Sequence, residues 1–248
     1  MLQNFESLIL IWLGIGFITF IALLKIPAPY GKFSKTNWGP MIPSKLGWIV
    51  MEIISPLALL YFFLNGNIEK TPTNITFISL WTLHYFNRSV IYPLRQNNPA
   101  QMPLLIAVLA FLFNVMNGYI NGTYFGSIQE YSAEYMSNWN FIIGACLFII
   151  GAFINIKSDN ILLSLRSKSG EYKIPEGFMF RYVSFPNYLG EILEWMAFAL
   201  MTWSLAGLSF MIWTMANLVP RAIKGHLWYH NKFESYPKNR KAIFPFII

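Results

Sequence analysis

Asn187-Tyr-Leu-Gly-Glu-Ile-Leu-Glu-Trp195 is the stretch that decides how this chain is interpreted. It opens a long apolar run and yet carries two carboxylates. On a helix, Asn187, Glu191 and Glu194 are spaced i, i+4 and i+7, so they share one face. An acidic group at membrane depth costs about 2.5 kcal/mol or more, and such groups usually face a bundle interior and serve a function. The alternative is a helix end whose glutamates pair with a neighbouring base.

The rest of the chain is similarly apolar. Its 248 residues are 55% hydrophobic and only 12% charged, which excludes an ordinary soluble domain. Runs long enough to cross a bilayer recur along it. We place seven spans, at residues 7–24, 46–64, 74–94, 103–120, 140–156, 188–204 and 206–219, the last two joined by a tight turn around 205–207. The first run lacks a basic segment and a cleavage site, so we expect a retained span and not a signal peptide. The sequence thus predicts one all-α, polytopic membrane domain over residues 1–248.

The placement of charges supports seven spans. If the C-terminal tail is cytoplasmic, only Lys70 among the loop bases lies outside, and the outer segment 121–138 carries two glutamates and no base. This is the positive-inside asymmetry of membrane proteins. It accounts for the net charge of +7 without nucleic acid. A basic inner face suits anionic lipid headgroups or an anionic cofactor. We expect a multi-pass protein of the bacterial inner membrane or the endoplasmic reticulum.

The second and third spans carry polar groups that cannot face lipid. Glu52 lies in Trp48-Ile-Val-Met-Glu-Ile-Ile-Ser-Pro56, where burial favours its protonated form. A neutral carboxyl in an apolar pocket can polarise a carbonyl group. Tyr85, Arg88 and Tyr92 share one face of the third span. A phenol opposite Glu52 would complete a two-donor site, whereas a packing role for Glu52 remains the alternative.

The next two spans differ in polar content. The fourth is apolar apart from Asn114 and Asn117, and we interpret it as scaffold. The fifth ends with Asn155, Asp159 and Arg166 on nearly one face. Amide, carboxylate and guanidinium in one line could bind an amide, a ribose hydroxyl and a phosphate. A helix-end network of these side chains is the alternative.

The inner loops add basic residues and few metal ligands. Lys32, in Pro29-Tyr-Gly-Lys32, could reach over a phosphate-bearing ligand, and the loop 168–186 is long enough to cover a site. His226 and His230 are spaced i, i+4, but a suitable third ligand is lacking, so we predict no metal. No P-loop, dinucleotide glycine motif or Gly-x-Ser-x-Gly elbow is present.

Taken together, these motifs resemble those of the steroid 5α-reductase family, most like a bacterial member. The resemblance rests on Tyr30-Gly31-Lys32, Trp48 with Glu52, His84-Tyr85-Phe86-x-Arg88, Asn155-Ile-x-Ser-Asp159, Tyr172-x-Ile-Pro-x-Gly177, Tyr182-Val-Ser184, the stretch 187–195, and Glu234-x-Tyr-Pro-Lys-x-Arg-Lys-Ala-x-x-Pro-Phe246. It covers most of the chain. In place of the family's histidine run after Arg221, this chain has Lys224-Gly225-His226.

The resemblance implies a membrane enzyme that reduces the Δ4 double bond of a 3-oxo-steroid with NADPH. Glu52 and Tyr85 would be catalytic and bind the 3-keto oxygen, with Trp48 in the substrate site. The cofactor would be surrounded by Lys32, Asn155, Asp159, Arg166, Tyr172, Asn187, Glu191, Arg221 and Tyr229. A steroid or other apolar enone would enter from the bilayer, and we expect a monomer in contact with membrane lipid.

Other functions remain open at this stage. A polyprenol or enoyl-thioester reductase is the nearest alternative, and an S-adenosylmethionine-dependent isoprenylcysteine methyltransferase shares a looser version of the C-terminal block. A proton-coupled transporter would also bury carboxyl groups. We disfavour the transporter because the chain has no sign of paired repeats or of broken helices around a midplane site.

Overall fold

The computed structural model describes residues 2–96, 100–165 and 171–248, and most of these are helical. The α-helices are α1 (Leu2–Lys25), α2 (Ser44–Leu64), α3 (Pro72–Phe86), α4 (Tyr92–Leu94), α5 (Leu104–Thr123), α6 (Trp139–Leu165), α7 (Pro186–Thr202) and α8 (Leu205–Lys232). Two π-helical turns, Asn87–Ile91 and Tyr124–Ile128, extend α3 and α5. Three 3₁₀ turns and a two-stranded sheet complete the described chain.

Four helices of the described residues are long and apolar enough to cross a membrane: α1, α2, α5 with its π-turn, and α6. On α1, Leu10, Phe17 and Ile18 are each at least 60% exposed. Such a contiguous apolar face is unfavourable in water and suits the hydrocarbon of a bilayer. The other three predicted spans also coincide with helical segments, namely 72–94, α7 and α8. A mostly helical protein with apolar, membrane-compatible helices was therefore correctly predicted.

The third predicted span is helical over its whole length but not uniformly α-helical. Thr71 caps its first turn, because its Oγ1 accepts a hydrogen bond from the Asn74 backbone N–H at 3.2 Å, and Pro72 follows at the first helical position. The helix then widens into the π-turn Asn87–Ile91. One extra residue in a turn rotates the following side chains, and π-turns are frequent at functional sites.

Two boundaries in the C-terminal half differ from the prediction. The chain reverses at Trp203, whose φ is 45°, and not at 205–207. Ser204 then caps α8, accepting a hydrogen bond from the Gly207 N–H at 3.0 Å, so Gly207 lies inside the first turn. The helix that follows also continues through Pro220 to Lys232. The segment after Val219, predicted as a non-spanning tail that begins with helical spacing, therefore continues α8 as far as Lys232.

The structure contains a small β-sheet that the all-α prediction did not include. Strand β1 (Met41–Pro43) pairs antiparallel with β2 (Gln101–Pro103), with Ile42 opposite Met102. Each strand leads directly into a helix, β1 into α2 and β2 into α5. The pairing therefore joins the starts of two apolar helices that pack against each other.

The described chain divides into two compact units. The first contains the start of α1 up to Ile9 together with Ala28–Ile142, and so holds α2 to α5 and the sheet. The second contains Leu10–Pro27 and Ile143–Ile248, and so holds most of α6 with α7 and α8. Glu52 and Tyr85 belong to the first unit, and Asn155, Asp159 and Asn187 to the second.

In the second unit, α6 and α7 approach each other closely through glycines. A Cβ atom built on Gly190 would lie 2.5 Å from the Asn155 backbone N and 2.7 Å from the Gly151 carbonyl oxygen. One built on Gly151 would meet the Gly190 carbonyl oxygen at 2.7 Å. Small residues at a helix crossing let two backbones touch. This contact brings Asn155 beside the first turn of α7.

Gly190→Ala is expected to lower the thermal unfolding temperature, because the added methyl group meets backbone atoms that cannot move aside. Overpacking of this kind costs about 1–3 kcal/mol. Gly14→Ala is the matched control, since nothing lies within 4 Å of a Cβ built there. Thermal unfolding of the two variants in detergent measures the difference. Equal unfolding temperatures would show that α6 and α7 are not in close contact.

Candidate active site

Tyr85 is held inside the first unit by aromatic packing. Its side chain is 5% exposed and stacks on the ring of Trp81, with ring centroids 5.8 Å apart and an interplanar angle of 22°. Trp81 is itself fully buried and donates a hydrogen bond from Nε1 to Ser55 Oγ at 3.0 Å. Ser55 lies on α2, so the bond fixes the indole against that helix. The phenol ring of Tyr85 is therefore rigidly placed near α2.

Two hydrogen bonds join Tyr85 to the turn of α2 that carries Glu52. The Tyr85 hydroxyl donates to Asn114 Oδ1 at 3.3 Å, and Asn114 Nδ2 donates to the Met51 carbonyl oxygen at 2.6 Å. Met51 directly precedes Glu52, which is half-buried. The structure thus brings Tyr85 to the part of α2 where the sequence predicted its partner. Asn114, interpreted from the sequence as scaffold, is the connecting residue.

A cation and three aromatic rings lie next to this cluster. The Arg88 guanidinium, 8% exposed, lies 5.2 Å from the ring centroid of Trp48 and 5.1 Å from that of Tyr92. Tyr30 packs edge-on against Trp48 at 6.1 Å. A cation over desolvated rings is stabilised by about 2 kcal/mol. The π-turn of α3 directs Arg88 to Trp48, the predicted substrate-site residue one helical turn before Glu52.

In the second unit, three of the predicted cofactor residues bond to one another. Asn155 Nδ2 on α6 donates to the Asn187 backbone carbonyl on α7 at 2.9 Å. Asn187 Nδ2 donates in turn to Asp159 Oδ1 at 3.0 Å. All three side chains are buried. Because Asn155 and Asp159 are spaced i, i+4 on α6, both of their side chains face the first turn of α7.

The remaining predicted cofactor residues that the structure describes lie on α7, on α8 or between the α-helices. Arg221 on α8 donates from Nε to the Tyr188 hydroxyl at 2.9 Å. Tyr229 is buried and packs against Phe185, with ring centroids 6.0 Å apart. The further placements are Tyr172 edge-on to Trp228, Glu191 half-buried on α7, and Lys32 in the 3₁₀ turn Gly31–Phe33 of the first unit. Arg166 lies outside the described residues.

The second unit contains buried polar atoms whose chemistry would fit a dinucleotide. Asn187 Oδ1 is a buried acceptor with no hydrogen-bond partner among the described residues, as is the hydroxyl of Ser158. A buried polar atom without a partner costs about 1–3 kcal/mol, so such atoms call for a ligand. The carboxamide N–H and ribose hydroxyls of NADPH are donors of the kind these atoms lack. The carboxylate of Asp159 and the guanidinium of Arg221 fit hydroxyls and phosphates.

A hydrogen-bonded group that the sequence did not predict lies near Tyr229. Ser184 Oγ is 2.6 Å from both His226 Nδ1 and the Tyr236 hydroxyl, and Arg240 donates to that hydroxyl at 3.3 Å. Tyr236 stacks on Tyr229 at 5.1 Å, with an interplanar angle of 11°. Burial, followed by electrostatic interaction with His230, Arg240 and Lys241, lowers the pKa of His226 to about 4.

The thermal stability of the protein is expected to decrease as the pH falls from 6.5 towards 4. An unfolded His226 takes up a proton at its ordinary pKa of 6.5, whereas the folded protein resists protonation down to about pH 4. Between about pH 4 and 6.5 the unfolded state therefore binds more protons, and acid favours unfolding. Above pH 6.5 neither state carries this proton, so the protein keeps its full stability. The measurement is the unfolding temperature of wild type and His226→Gln across that pH range. The difference should narrow at low pH, and parallel curves would contradict the assignment.

Asn114 is the main residue that sequence reasoning missed, although a signal existed. An asparagine inside an apolar run must find a partner, and polar side chains within spans often mark functional sites. Its i, i+3 spacing to Asn117 gave no indication of a partner on another helix. Its partners, Met51 and Tyr85, lie on two other helices.

Comparison with known proteins identifies relatives over nearly the full chain. The family described as 3-oxo-5-alpha-steroid 4-dehydrogenase matches residues 100–248. The chain is 44% identical to "Steroid 5-alpha-reductase DET2" of Solanum lycopersicum, over 98% of this chain and 96% of that protein. It is 37% identical to "3-oxo-5-alpha-steroid 4-dehydrogenase 1" of Rattus norvegicus, over 94% and 91% respectively. These relatives are a plant and a mammalian protein, so they give no support to the expectation of a bacterial relative.

Proposed function

The chain belongs to the family of 3-oxo-5-alpha-steroid 4-dehydrogenases, and we propose that it reduces the Δ4 C=C bond of 3-oxo-steroids to the 5α product with NADPH. The observation that carries this proposal is the buried Tyr85 hydroxyl, linked through Asn114 to the turn of α2 that holds Glu52. With Glu52 protonated, that arrangement would provide two proton donors, the phenol of Tyr85 and the carboxyl group of Glu52. Two donors suit the single oxygen of an enone.

The chemistry requires stabilisation of negative charge. NADPH, when bound, supplies a hydride to the β-carbon of the enone. Negative charge then grows on the ketone oxygen, and donors already aimed at that oxygen lower the barrier. Protonated Glu52 and Tyr85 would supply these donors. Burial of Tyr85 and its aromatic neighbours keeps water away, which strengthens each hydrogen bond. A proton added at the α-carbon completes the reduction.

The cofactor would be held by the second unit. Asn155, Asp159 and Asn187 present amide and carboxylate groups for the carboxamide and ribose, and Arg221 offers a cation for a phosphate. The other residues proposed for the cofactor are Arg166, Tyr172, Glu191 and Tyr229, and also Lys32, which belongs to the first unit. Support comes from the hydrogen bonds that tie Asn155 and Asp159 to Asn187, and from the buried Asn187 oxygen that lacks a donor among the described residues.

The protein would act as a single membrane domain with seven spans. Four described helices already meet the length and composition of a span, and 72–94, α7 and α8 would provide the other three. The distribution of Lys and Arg supports a cytoplasmic C-terminus and a cofactor that arrives from the basic inner face. An apolar substrate would enter from the bilayer. We propose that one copy of the chain is sufficient.

The test is turnover by membranes that contain the expressed protein. They are incubated with NADPH and, separately, a Δ4-3-oxo-steroid, the corresponding saturated 3-oxo-steroid, a polyprenol and an enoyl-thioester. We expect consumption of NADPH with the Δ4-steroid alone, and a product heavier by two hydrogen atoms. Membranes without the protein are the control.

Other outcomes would redirect the proposal. Reduction of the polyprenol or the thioester but not the steroid would move the chain to a different reductase substrate. Methyl transfer from S-adenosylmethionine without any use of NADPH would contradict reductase activity altogether.

A further inference from the structure

We propose that Asn114 is a positioning residue for Tyr85. In the substrate-free enzyme it accepts the hydrogen bond of the Tyr85 phenol, and during hydride transfer the phenol turns and donates that hydrogen bond to the ketone oxygen. This inference rests on the proposed function and deepens it. It starts from the hydrogen bonds that join Met51, Asn114 and Tyr85, which lie on three helices of the first unit. Each bond has a direction that can be deduced from chemistry.

The backbone of α2 fixes the orientation of the Asn114 amide. A carbonyl oxygen only accepts hydrogen bonds, so the atom 2.6 Å from the Met51 oxygen has to be the Asn114 nitrogen. The Asn114 oxygen then faces the Tyr85 hydroxyl at 3.3 Å. That oxygen also only accepts, so the phenolic proton points towards Asn114. Asn114 is 3% exposed, which leaves little access for water to take over this role.

A phenol has one proton, so Tyr85 cannot donate to Asn114 and to a substrate with the same hydrogen. Donation to the ketone requires the proton to leave Asn114. The ring itself stays in place, because it is stacked on Trp81, and rotation of the hydroxyl is sufficient. The bond to Asn114 is long, since O–H···O bonds usually measure about 2.7–2.8 Å, so breaking it costs little.

Whether Tyr85 donates its hydrogen bond to Asn114 or to the ketone depends on the charge of the ketone oxygen. An amide oxygen is a stronger hydrogen-bond acceptor than a ketone oxygen, and the negatively charged oxygen of the developing enolate is stronger than either. The proton therefore stays with Asn114 while the substrate is in its ground state, and turns to the ketone oxygen as negative charge grows. An interaction made only in the transition state raises kcat, whereas one made equally in the ground state lowers KM. Asn114 thus keeps the Tyr85 hydrogen bond from stabilising the ground-state complex, where it would only lower KM.

The experiment compares Asn114→Leu with wild type, alone and combined with Tyr85→Phe. Leucine has a similar branched shape and accepts no hydrogen bond. We expect KM for a Δ4-3-oxo-steroid to fall about tenfold, the effect of one hydrogen bond that Tyr85 can now donate to the ketone in the ground state, while kcat changes little. In the Tyr85→Phe background, Asn114→Leu should have no effect on KM, because the proton that it positions is gone.

Two further variants separate this role from packing. Asn117→Leu is the matched control, since Asn117 is a fully buried asparagine on the same helix whose Nδ2 bonds to the Phe113 carbonyl of its own helix at 2.8 Å. It should leave KM unchanged. In Asn114→Asp, burial favours the neutral carboxyl group, which can donate to Met51 and accept from Tyr85. We expect this variant to keep KM within about threefold of wild type, a change smaller than that of one hydrogen bond.

The outcomes are distinguishable. Equal changes of KM from Asn114→Leu in the wild-type and Tyr85→Phe backgrounds would overturn the inference, because the effect would then not pass through the phenol. If Asn114→Leu fails to fold, the aspartate variant decides: a KM close to that of wild type supports the role, and a tenfold change of KM in folded protein overturns it. Absence of enone reduction by the wild type would refute the proposed function, and with it this inference. If the wild type reduces the enone and replacing Asn114 has no effect, only this inference is refuted.

Discussion

Replacing Glu52 by leucine is expected to lower the turnover of a Δ4-3-oxo-steroid by about 100- to 1,000-fold, the cost of removing one donor from a preorganised oxyanion site. Leucine is apolar and suits the half-buried position on α2, so the fold should persist. The proposed cofactor residues of the second unit are untouched, so NADPH affinity should stay the same. Steady-state turnover and NADPH binding, measured on one purified preparation, test both parts of this expectation.

Glu52→Gln separates two roles that leucine cannot distinguish. The amide keeps the shape of the side chain and is a neutral donor, though a weaker one than a carboxylic acid. If Glu52 donates a hydrogen bond to the ketone oxygen, the glutamine variant should fall between wild type and the leucine variant. If Glu52 instead acts as an ionised base, glutamine should be as inactive as leucine, because neither side chain can take up a proton.

Glu130→Gln is the matched control for these variants. Glu130 is an exposed glutamate of the segment between α5 and α6, so its loss should leave turnover unchanged. Wild-type turnover in Glu52→Leu would refute the catalytic role of Glu52. A parallel loss of NADPH affinity would mean that the substitution disturbs the whole protein and not the donor at the ketone.

What could be predicted from the sequence is what one helix determines by itself. Asn155 and Asp159 are four residues apart, and helix geometry alone places them on one face, where both bond to Asn187. Each predicted span likewise coincides with a helical segment, because a long apolar run in a membrane has few alternatives to a helix. Resemblance to a family supplied the reaction and the cofactor, which no spacing could have indicated.

What could not be predicted depends on contacts between helices. Asn114 has no neighbour in sequence that reveals its bonds to Met51 and Tyr85, since three separate helices have to pack before the cluster exists. The reversal at Trp203 has a similar cause. Tryptophan does not favour a positive φ, and the position is set by the close approach of α7 and α8 and the cap at Ser204. The strands β1 and β2 are too short to give an alternating pattern.

Replacing Asn187 by leucine is expected to weaken NADPH binding by about 10- to 100-fold, while kcat at saturating NADPH changes little. The substitution removes the buried Oδ1 that lacks a donor among the described residues, and with it an acceptor for the cofactor. It also removes the hydrogen bond that Nδ2 donates to Asp159 at 3.0 Å. A buried carboxylate that loses a donor is destabilised by about 1–3 kcal/mol or more, so Asp159 would leave its present position.

Asn160→Leu is the matched control, because Asn160 follows Asp159 on α6 but is exposed. Equilibrium binding of NADPH to the two variants, with steroid affinity measured in parallel, gives the comparison. The bond from Asn155 to the Asn187 backbone carbonyl does not involve the replaced side chain and should survive, which keeps α6 and α7 together. A loss of cofactor affinity can then be attributed to the side chain and not to separation of the helices.

The affinities of Asn187→Leu for NADPH and for the steroid decide which of these ligands the second unit binds. If NADPH affinity falls and steroid affinity does not, the amide and carboxylate groups on α6 and α7 bind the cofactor, and the ketone donors of the first unit act independently of them. If steroid affinity falls instead, the assignment of the two units is reversed. The Tyr85 hydroxyl would then require another partner, since a ketone is an acceptor and a dinucleotide would have to present one in its place.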